Sequence, residues 1–386
     1  MLRFKKEDGS SYPEWKIKLL PEIAALINGR AYKSDEMLIK GKYPLLRVGN
    51  LFTNDNLLYS DLELEENKYI NEGDLIYAWS ATFGPRIFHG ERTIYHYHIW
   101  KIETADDIDK TFLYYILLND VKYIKRELNG GTMQHITKMD MEKRSYAIPS
   151  MEEQKKISDF LTEIDNVIEC SEKEIKSLEQ QKKGLIQKIF SQEIRFKREN
   201  GDFYLNWNKI KLKKLIKITT GYPFDSKLFT EEDNGNPIIR IRNISDCSIS
   251  LFTTEEYDDK YLIKKNDIII GMDGDFLIRK WKNINVGLNQ RIMKIESKNS
   301  NLLLNSFLYY AVQLPIYNIN GLTPSTTVKH LSNKDVENIV IELPCLEEQQ
   351  KIAEFLSSFD ETIDATKEEL ETWKNIKKGL LQQMFE

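Results

Sequence analysis

The feature that most constrains this chain is that it contains one segment twice. Pro149-Ser-Met-Glu-Glu-Gln-Lys-Lys-Ile157 recurs 195 residues later as Pro344-Cys-Leu-Glu-Glu-Gln-Gln-Lys-Ile352. The match runs without a gap to Phe190 and Phe385, with 17 of 42 aligned positions identical. The longer segments in front repeat more faintly. Phe4 and Trp15 answer Phe196 and Trp207, and Pro44-Leu-Leu-Arg47-Val-Gly-Asn50 answers Pro237-Ile-Ile-Arg240-Ile-Arg-Asn243. Glu72-Gly-Asp-Leu-Ile76 answers Lys265-Asn-Asp-Ile-Ile269, and His98-Ile-Trp-Lys-Ile102 answers Arg291-Ile-Met-Lys-Ile295. The offset stays between 192 and 195. A repeat of this length is a folding unit in its own right, so the order is module, helix, module, helix. The boundaries fall at 1–148, 149–193, 194–343 and 344–386.

The two shorter segments read as single long helices. With Ile157 at position a of a heptad, Ile164, Ser171, Leu178 and Leu185 follow at a, and Leu161, Ile168, Ile175, Lys182 and Ile189 at d. The second copy keeps register, with Ile352, Phe359, Thr366, Trp373 and Leu380 at a, and Leu356, Ile363, Leu370, Lys377 and Met384 at d. Forty helical residues span about 60 Å. Neither helix can bury its seam alone, so an antiparallel coiled coil between them is expected. The other arrangement is two separate helices, each packed on its own domain.

Bulk properties exclude several classes. A length of 386 residues suits two domains. No run reaches the roughly 20 apolar residues of a membrane span, and the charged start Met1-Leu-Arg-Phe-Lys-Lys-Glu7 lacks a signal-peptide core. Cys170, Cys247 and Cys345 stand alone, which argues against a disulfide framework or zinc site and suits a reducing cytoplasm. The net charge of −5 is unevenly spread. The helical segments carry −3 and −5, the larger segments −1 and +4, which leaves room on the modules for a phosphate-facing surface.

The larger segments mix short β-branched runs (Tyr43–Val48, Leu75–Ala78, Ile238–Ile241, Asp267–Gly271) with a helical stretch, Thr111–Leu128 or Leu302–Leu314. A polar, Gly-bearing loop follows each: 129–135 and 320–327. The fold expected is therefore α+β: two globular mixed α/β domains joined and separated by two long helices, with a pseudo-twofold internal repeat.

Pro-x-x-Glu-Glu-Gln-x-Lys-Ile opening a long helix, twice and 195 apart, resembles the specificity subunit of type I restriction–modification enzymes. The Trp-x-x-x-Leu starts (Trp15 with Leu19, and Trp207 with Leu212 one residue later), the Gly-Asp-Leu-Ile and Asn-Asp-Ile-Ile runs and the Gly-Thr-x-Gln-x-Ile-like loop before each Pro support the likeness, which covers the whole chain. The loop Gly321–Leu331 departs from it, with no counterpart to Gln134. The resemblance implies a bipartite reader of double-stranded DNA: each target-recognition domain reads one half-site, and the paired helices set the spacing and dock methyltransferase subunits, two being expected. It also implies a non-catalytic subunit with no cofactor or metal of its own. S-adenosylmethionine would sit on the adenine methyltransferase, and ATP and Mg on a separate restriction and translocase subunit.

The motif survey agrees, since neither an Asn/Asp-Pro-Pro-Tyr/Phe sequence nor a Walker loop occurs. Asp273-Gly-Asp275 lacks the following Glu-x-Lys of a nuclease. His96-Tyr-His98, read as an alternating strand, would place two imidazoles on one face, where a DNA contact or a polar sheet edge is favoured over a metal. Base edges demand forked donors and acceptors, and phosphates demand cations and small polar groups. On that basis the DNA-contacting candidates are Arg30, Lys33, Trp79, Ser80, Arg86, His89, Thr132, Gln134 and His135 in the first module. In the second they are Tyr222, Lys227, Asp273, Arg279, Lys280, Gln290, Arg291, Ser325, Thr327 and Lys329. At each position a solvated loop residue is the plain alternative, Trp79 also suits a core, and Arg47 and Arg240 look structural. Two other functions compete: a non-catalytic coiled-coil scaffold, which would show no DNA sequence preference, and a self-sufficient DNA-modifying enzyme, which would need the missing cofactor loop.

Overall fold

The computed structural model describes residues 2–52, 54, 56–80, 82–127, 135–232, 235–322 and 329–385. Two compact units emerge: residues 1–172 with 368–386, and residues 173–367. Each holds one globular module plus part of both long helices, Met151–Phe190 and Leu346–Phe385.

In the first unit a four-stranded antiparallel sheet runs in the order Ala24–Asn28, Ile99–Thr104, Leu75–Ala78, Gly84–Ile87. The second unit has the same order in Ile216–Thr220, Ile292–Ser297, Ile268–Gly271, Ile278–Lys280. The central strand is buried on both faces in each, at Leu75-Ile-Tyr-Ala78 and Ile268-Ile-Ile-Gly271, so it reads as a continuous apolar run rather than an alternation. A two-stranded ribbon ties each module's start to the residues just before its long helix: Lys16–Leu19 with Ser145–Ile148, and Asn208–Lys211 with Val340–Leu343.

The modules differ where their sequences do. Lys110–Glu127 is one helix, with Asp109 Oδ1 accepting from the Phe112 amide at its start. The expected Leu302–Leu314 helix is instead two, Asn305–Ala311 and Gln313–Leu322. Pro315 has no amide hydrogen and its ring would meet the carbonyl of Ala311, so one helix cannot run through. The Tyr43–Val48 run stops as a strand at Leu46, because Asn50 takes the Arg47 amide and opens the helix Val48–Phe52. Ile238–Ile241 likewise turns into a short 3-10 segment, Ile241–Asn243.

The repeated Glu-Glu-Gln has a physical role. Glu153 lies fully buried in the first turn of its helix and accepts from Arg3 Nε (3.2 Å) and Nη2 (2.9 Å) and from the Trp15 indole (3.1 Å). Gln154 donates to the Pro149 and Asp107 carbonyls and accepts from the Asp109 amide. In the second unit Glu348 takes Arg195 Nε (2.9 Å), Arg195 Nη2 (3.0 Å) and Trp207 (2.8 Å), and Gln349 bonds to Pro344, Leu302 and Leu304. The carboxylate also sits at a helix N-terminus, where the backbone dipole favours it. Each module is thereby pinned to its helix by a charge that is fully paired.

The helix seam closes within each unit. Ile157, Leu161 and Ile164 join Leu381 and Met384 in the first core, and Ile186 and Ile189 join Ile352 and Leu356 in the second. The lysines that interrupt the apolar pattern are both used. Lys377 pairs with Asp165, which also accepts from Tyr115 Oη at 2.8 Å, and Lys182 pairs with Asp360, which accepts from Tyr310 Oη at 2.6 Å. Glu172 meets Lys374 in the first unit and Glu179 meets Lys367 in the second, so within both units rising numbers on one helix meet falling numbers on the other.

Candidate nucleic-acid interface

Where the central strand of each sheet ends, four segments converge on one backbone pattern. In the first unit the Trp79 amide donates to the His98 carbonyl, the Ile136 amide to Trp79, the Tyr97 amide to Arg30 and the Gly29 amide to Ile99. In the second the Met272 amide donates to Arg291, Leu331 to Met272, Gln290 to Tyr222 and Gly221 to Ile292. The bridges Arg30–His96 and Ser80–His135 are repeated as Tyr222–Asn289 and Asp273–His330. Gly29 and Gly221 make this close approach feasible. A Cβ on Gly29 would lie 2.4 Å from the carbonyl oxygens of Tyr95 and His96, and one on Gly221 1.9 Å from that of Asn289. Neither glycine was singled out among the candidates. The signal was there in Asn28-Gly-Arg30 against Thr220-Gly-Tyr222, at the repeat's own offset.

On this shared frame the side chains differ. Arg30 donates through both terminal guanidinium nitrogens, Nη1 and Nη2, to Glu36, whereas its equivalent Tyr222 donates to Glu255 at 3.0 Å. Trp79 stacks on Trp100 at 5.8 Å and donates its indole hydrogen to the Tyr97 carbonyl; Met272 occupies that place in the second unit. Ser80 faces His135, and Asp273 faces His330, with His330 Nδ1 2.7 Å from Asp273 Oδ1. His98 corresponds to Arg291, whose Nη1 donates to Asp273 Oδ2 at 3.0 Å. His96, Tyr97 and His98 lie on a turn closed by the Ile99 amide on the His96 carbonyl, not on the expected alternating strand. Burial, helped by His98 and Arg47, lowers the His96 pKa from 6.5 to about 4, and burial lowers that of His98 too. Among the described residues no three His, Cys, Asp or Glu side chains gather as a metal site would need.

The structure therefore brings together Arg30, Trp79, Ser80 and His135 in one unit, and Tyr222, Asp273, Gln290 and Arg291 in the other. Lys329 stands next to His330 but ties its ammonium to Asn320. Lys33 and Lys227 lie near these clusters in sequence, at or in the short turns Ser34–Glu36 and Ser226–Leu228. Arg86 and Arg279 are equivalents on the second strand of the hairpin, each donating to the carbonyl of its preceding residue. His89 pairs with Glu72 at the opposite end of the hairpin from Ser80. Lys280 is at the corresponding far end, its ammonium 5.3 Å from the centre of the Tyr309 ring, where burial lowers its pKa. Arg47 and Arg240 each keep a buried Nε without a hydrogen-bond partner among the described residues. Thr132, Gln134, Ser325 and Thr327 lie outside the described residues.

The two modules carry one loop frame with different side chains on it, and comparison with known proteins places the chain in a family. The model of the type I restriction modification DNA specificity domain matches residues 12–180 and 204–374. The chain belongs to this family and is a specificity subunit of a type I restriction–modification system. Among its relatives, the type I restriction enzyme MjaVIII specificity subunit of Methanocaldococcus jannaschii is 29% identical, over 98% of this chain and 94% of that protein. The EcoBI specificity subunit of Escherichia coli is 35% identical over 46% of this chain and 37% of that one. The fold is that of the solved S subunit from M. genitalium, with a TM-score of 0.59 at 19% identity over 96% of both chains.

Proposed function

We propose that this specificity subunit reads a bipartite double-stranded DNA target, one half-site per recognition domain, and carries no catalysis itself. The observation behind this reading is the loop frame repeated in both units with different side chains on it. Direct readout needs such a set of forked donors and acceptors on rigid backbone. The domains 1–148 and 194–343 are the readers. The segments 149–193 and 344–386, the helical parts of a pseudo-twofold internal repeat, form an antiparallel coiled coil that sets the spacing of the half-sites and docks the methyltransferase subunits. Those partners supply S-adenosylmethionine chemistry on adenine, while ATP and Mg serve the restriction subunit. The setting is the cytoplasm; among the described residues no helix is long and apolar enough to cross a membrane.

The test is to express the chain with its methyltransferase subunit and map methylated adenines across the host genome. Two short half-sites around a fixed unread spacer are expected; a contiguous motif, or none, overturns the reading. Inserting one heptad into both helical segments lengthens the pair by about 10 Å, close to three base pairs. An unchanged spacer in that protein overturns the ruler role.

A further inference from the structure

We infer that Arg291 reads a guanine in the half-site of the second unit, with Asp273 as its positioning residue. The inference rests on the DNA-reading function above and assigns a base to one side chain. Four observations carry it. Arg291 sits at the tip of the loop frame with φ +71°, a left-handed conformation that costs a non-glycine residue strain and is held there by its neighbours' backbone bonds. Its side chain is 58% exposed while that of Asp273 is 25% exposed, so the carboxylate is the anchored partner and the guanidinium the presented one. Only Nη1 engages Asp273; Nε and Nη2 make no hydrogen bond among the described residues. Asp273 is itself fixed from its other oxygen by His330, at 2.7 Å.

An arginine held by an acid at one terminal nitrogen, Nη1, leaves the adjacent Nε–H and Nη2–H as a planar fork. Guanine alone among the bases offers two acceptors, O6 and N7, side by side in the major groove to meet such a fork. The acid also decides between base and phosphate. Pairing with Asp273 offsets much of the long-range charge that phosphate binding relies on, but leaves the direction of the free N–H groups intact. In the first unit His98 and Ser80 hold the corresponding places, and this donor fork is missing there.

The experiment uses the full chain with its methyltransferase subunit and synthetic duplexes carrying the mapped target. Each guanine of the two half-sites is replaced in turn by 7-deazaguanine, which lacks the N7 acceptor. At one guanine of one half-site the unaltered complex should lose about tenfold to a hundredfold in affinity. Arg291→Gln should abolish the response to that replacement and relax only that position in the methylation map, with the other half-site and the spacer unchanged. Asp273→Asn should weaken the same discrimination in part. Tolerance of 7-deazaguanine at every guanine overturns the inference, and this arm needs no variant to fold. So does an Arg291→Gln protein that binds all sequences equally less well, with its salt dependence reduced by about one phosphate contact. If no bipartite target maps at all, it is the DNA-reading function that fails. If a target maps and the analogue is tolerated, only the assignment of Arg291 fails.

Discussion

Two parts of each unit behave in opposite ways when the copies are compared. The clamp that pins module to helix is the same twice over: a buried glutamate, an arginine gripping both its oxygens, an indole and a glutamine. The loop frame keeps its backbone and changes its side chains, Ser80 against Asp273 and His98 against Arg291. The difference teaches where each copy was constrained. A charge buried at 0% exposure tolerates no unpaired partner, whereas an exposed loop tip on a fixed backbone accepts any side chain of suitable reach.

The largest effect should come from breaking the clamp. Glu153→Ala and Glu348→Ala each strand an arginine and an indole, and each should cost about 3–5 kcal/mol in chemical denaturation. Unequal losses would show that the two clamps, alike in bonding, differ in weight. Next is the frame itself. Gly221→Ala forces a Cβ onto the Asn289 carbonyl and should cost about 1–3 kcal/mol, with Gly29→Ala following at a slightly looser contact. In the methylation map each should blur its own half-site and spare the other; loss of both together would break the claim of independent readers.

Smaller effects sharpen the comparison along the helices. Lys182→Met and Lys377→Met remove matched ion pairs to Asp360 and Asp165 and should each cost about 1 kcal/mol, since water screens these partly exposed groups. At neutral pH the smallest effect is the one that belongs to His96 in the first unit, and it grows only on acidification. Unfolded His96 takes up a proton near pH 6.5, while burial delays this in the folded state to about pH 4. Its contribution to stability is therefore intact above pH 6.5, declines as the pH falls through the window from 6.5 to 4, and levels off below. His96→Asn, which installs the residue found at Asn289, should flatten that decline in a thermal-melting series. An unchanged slope would assign it to other groups.

Much of this was legible in the residues. The 195-residue repeat gave the module order, and the a and d pattern from Ile157 and Ile352 marked two long helices, which run Met151–Phe190 and Leu346–Phe385. Periodicity and repetition are properties of the chain itself, and a strict repeat obliges its copies to share a fold. Reading for polar reach selected Ser80, Asp273, Arg291 and His135, which the structure places on the loop frame, because base edges call for donors and acceptors alike. It also selected Lys280 and His89, which sit at the far end of the hairpin, since composition does not reveal which end of a strand faces which loop.

What the sequence by itself determined, then, is the duplication, the helices and the family. Tertiary structure decided what the repeated residues do. Glu153 and Arg3 lie 150 residues apart, and only packing could show that the repeated Glu-Glu-Gln clamps the module to its helix. Gly29 is small because a carbonyl from residue 95 passes beside it. The pairing of Asp273 with Arg291 and His330 likewise arises from strands that meet only in the folded module, where distance along the chain no longer sets distance in space.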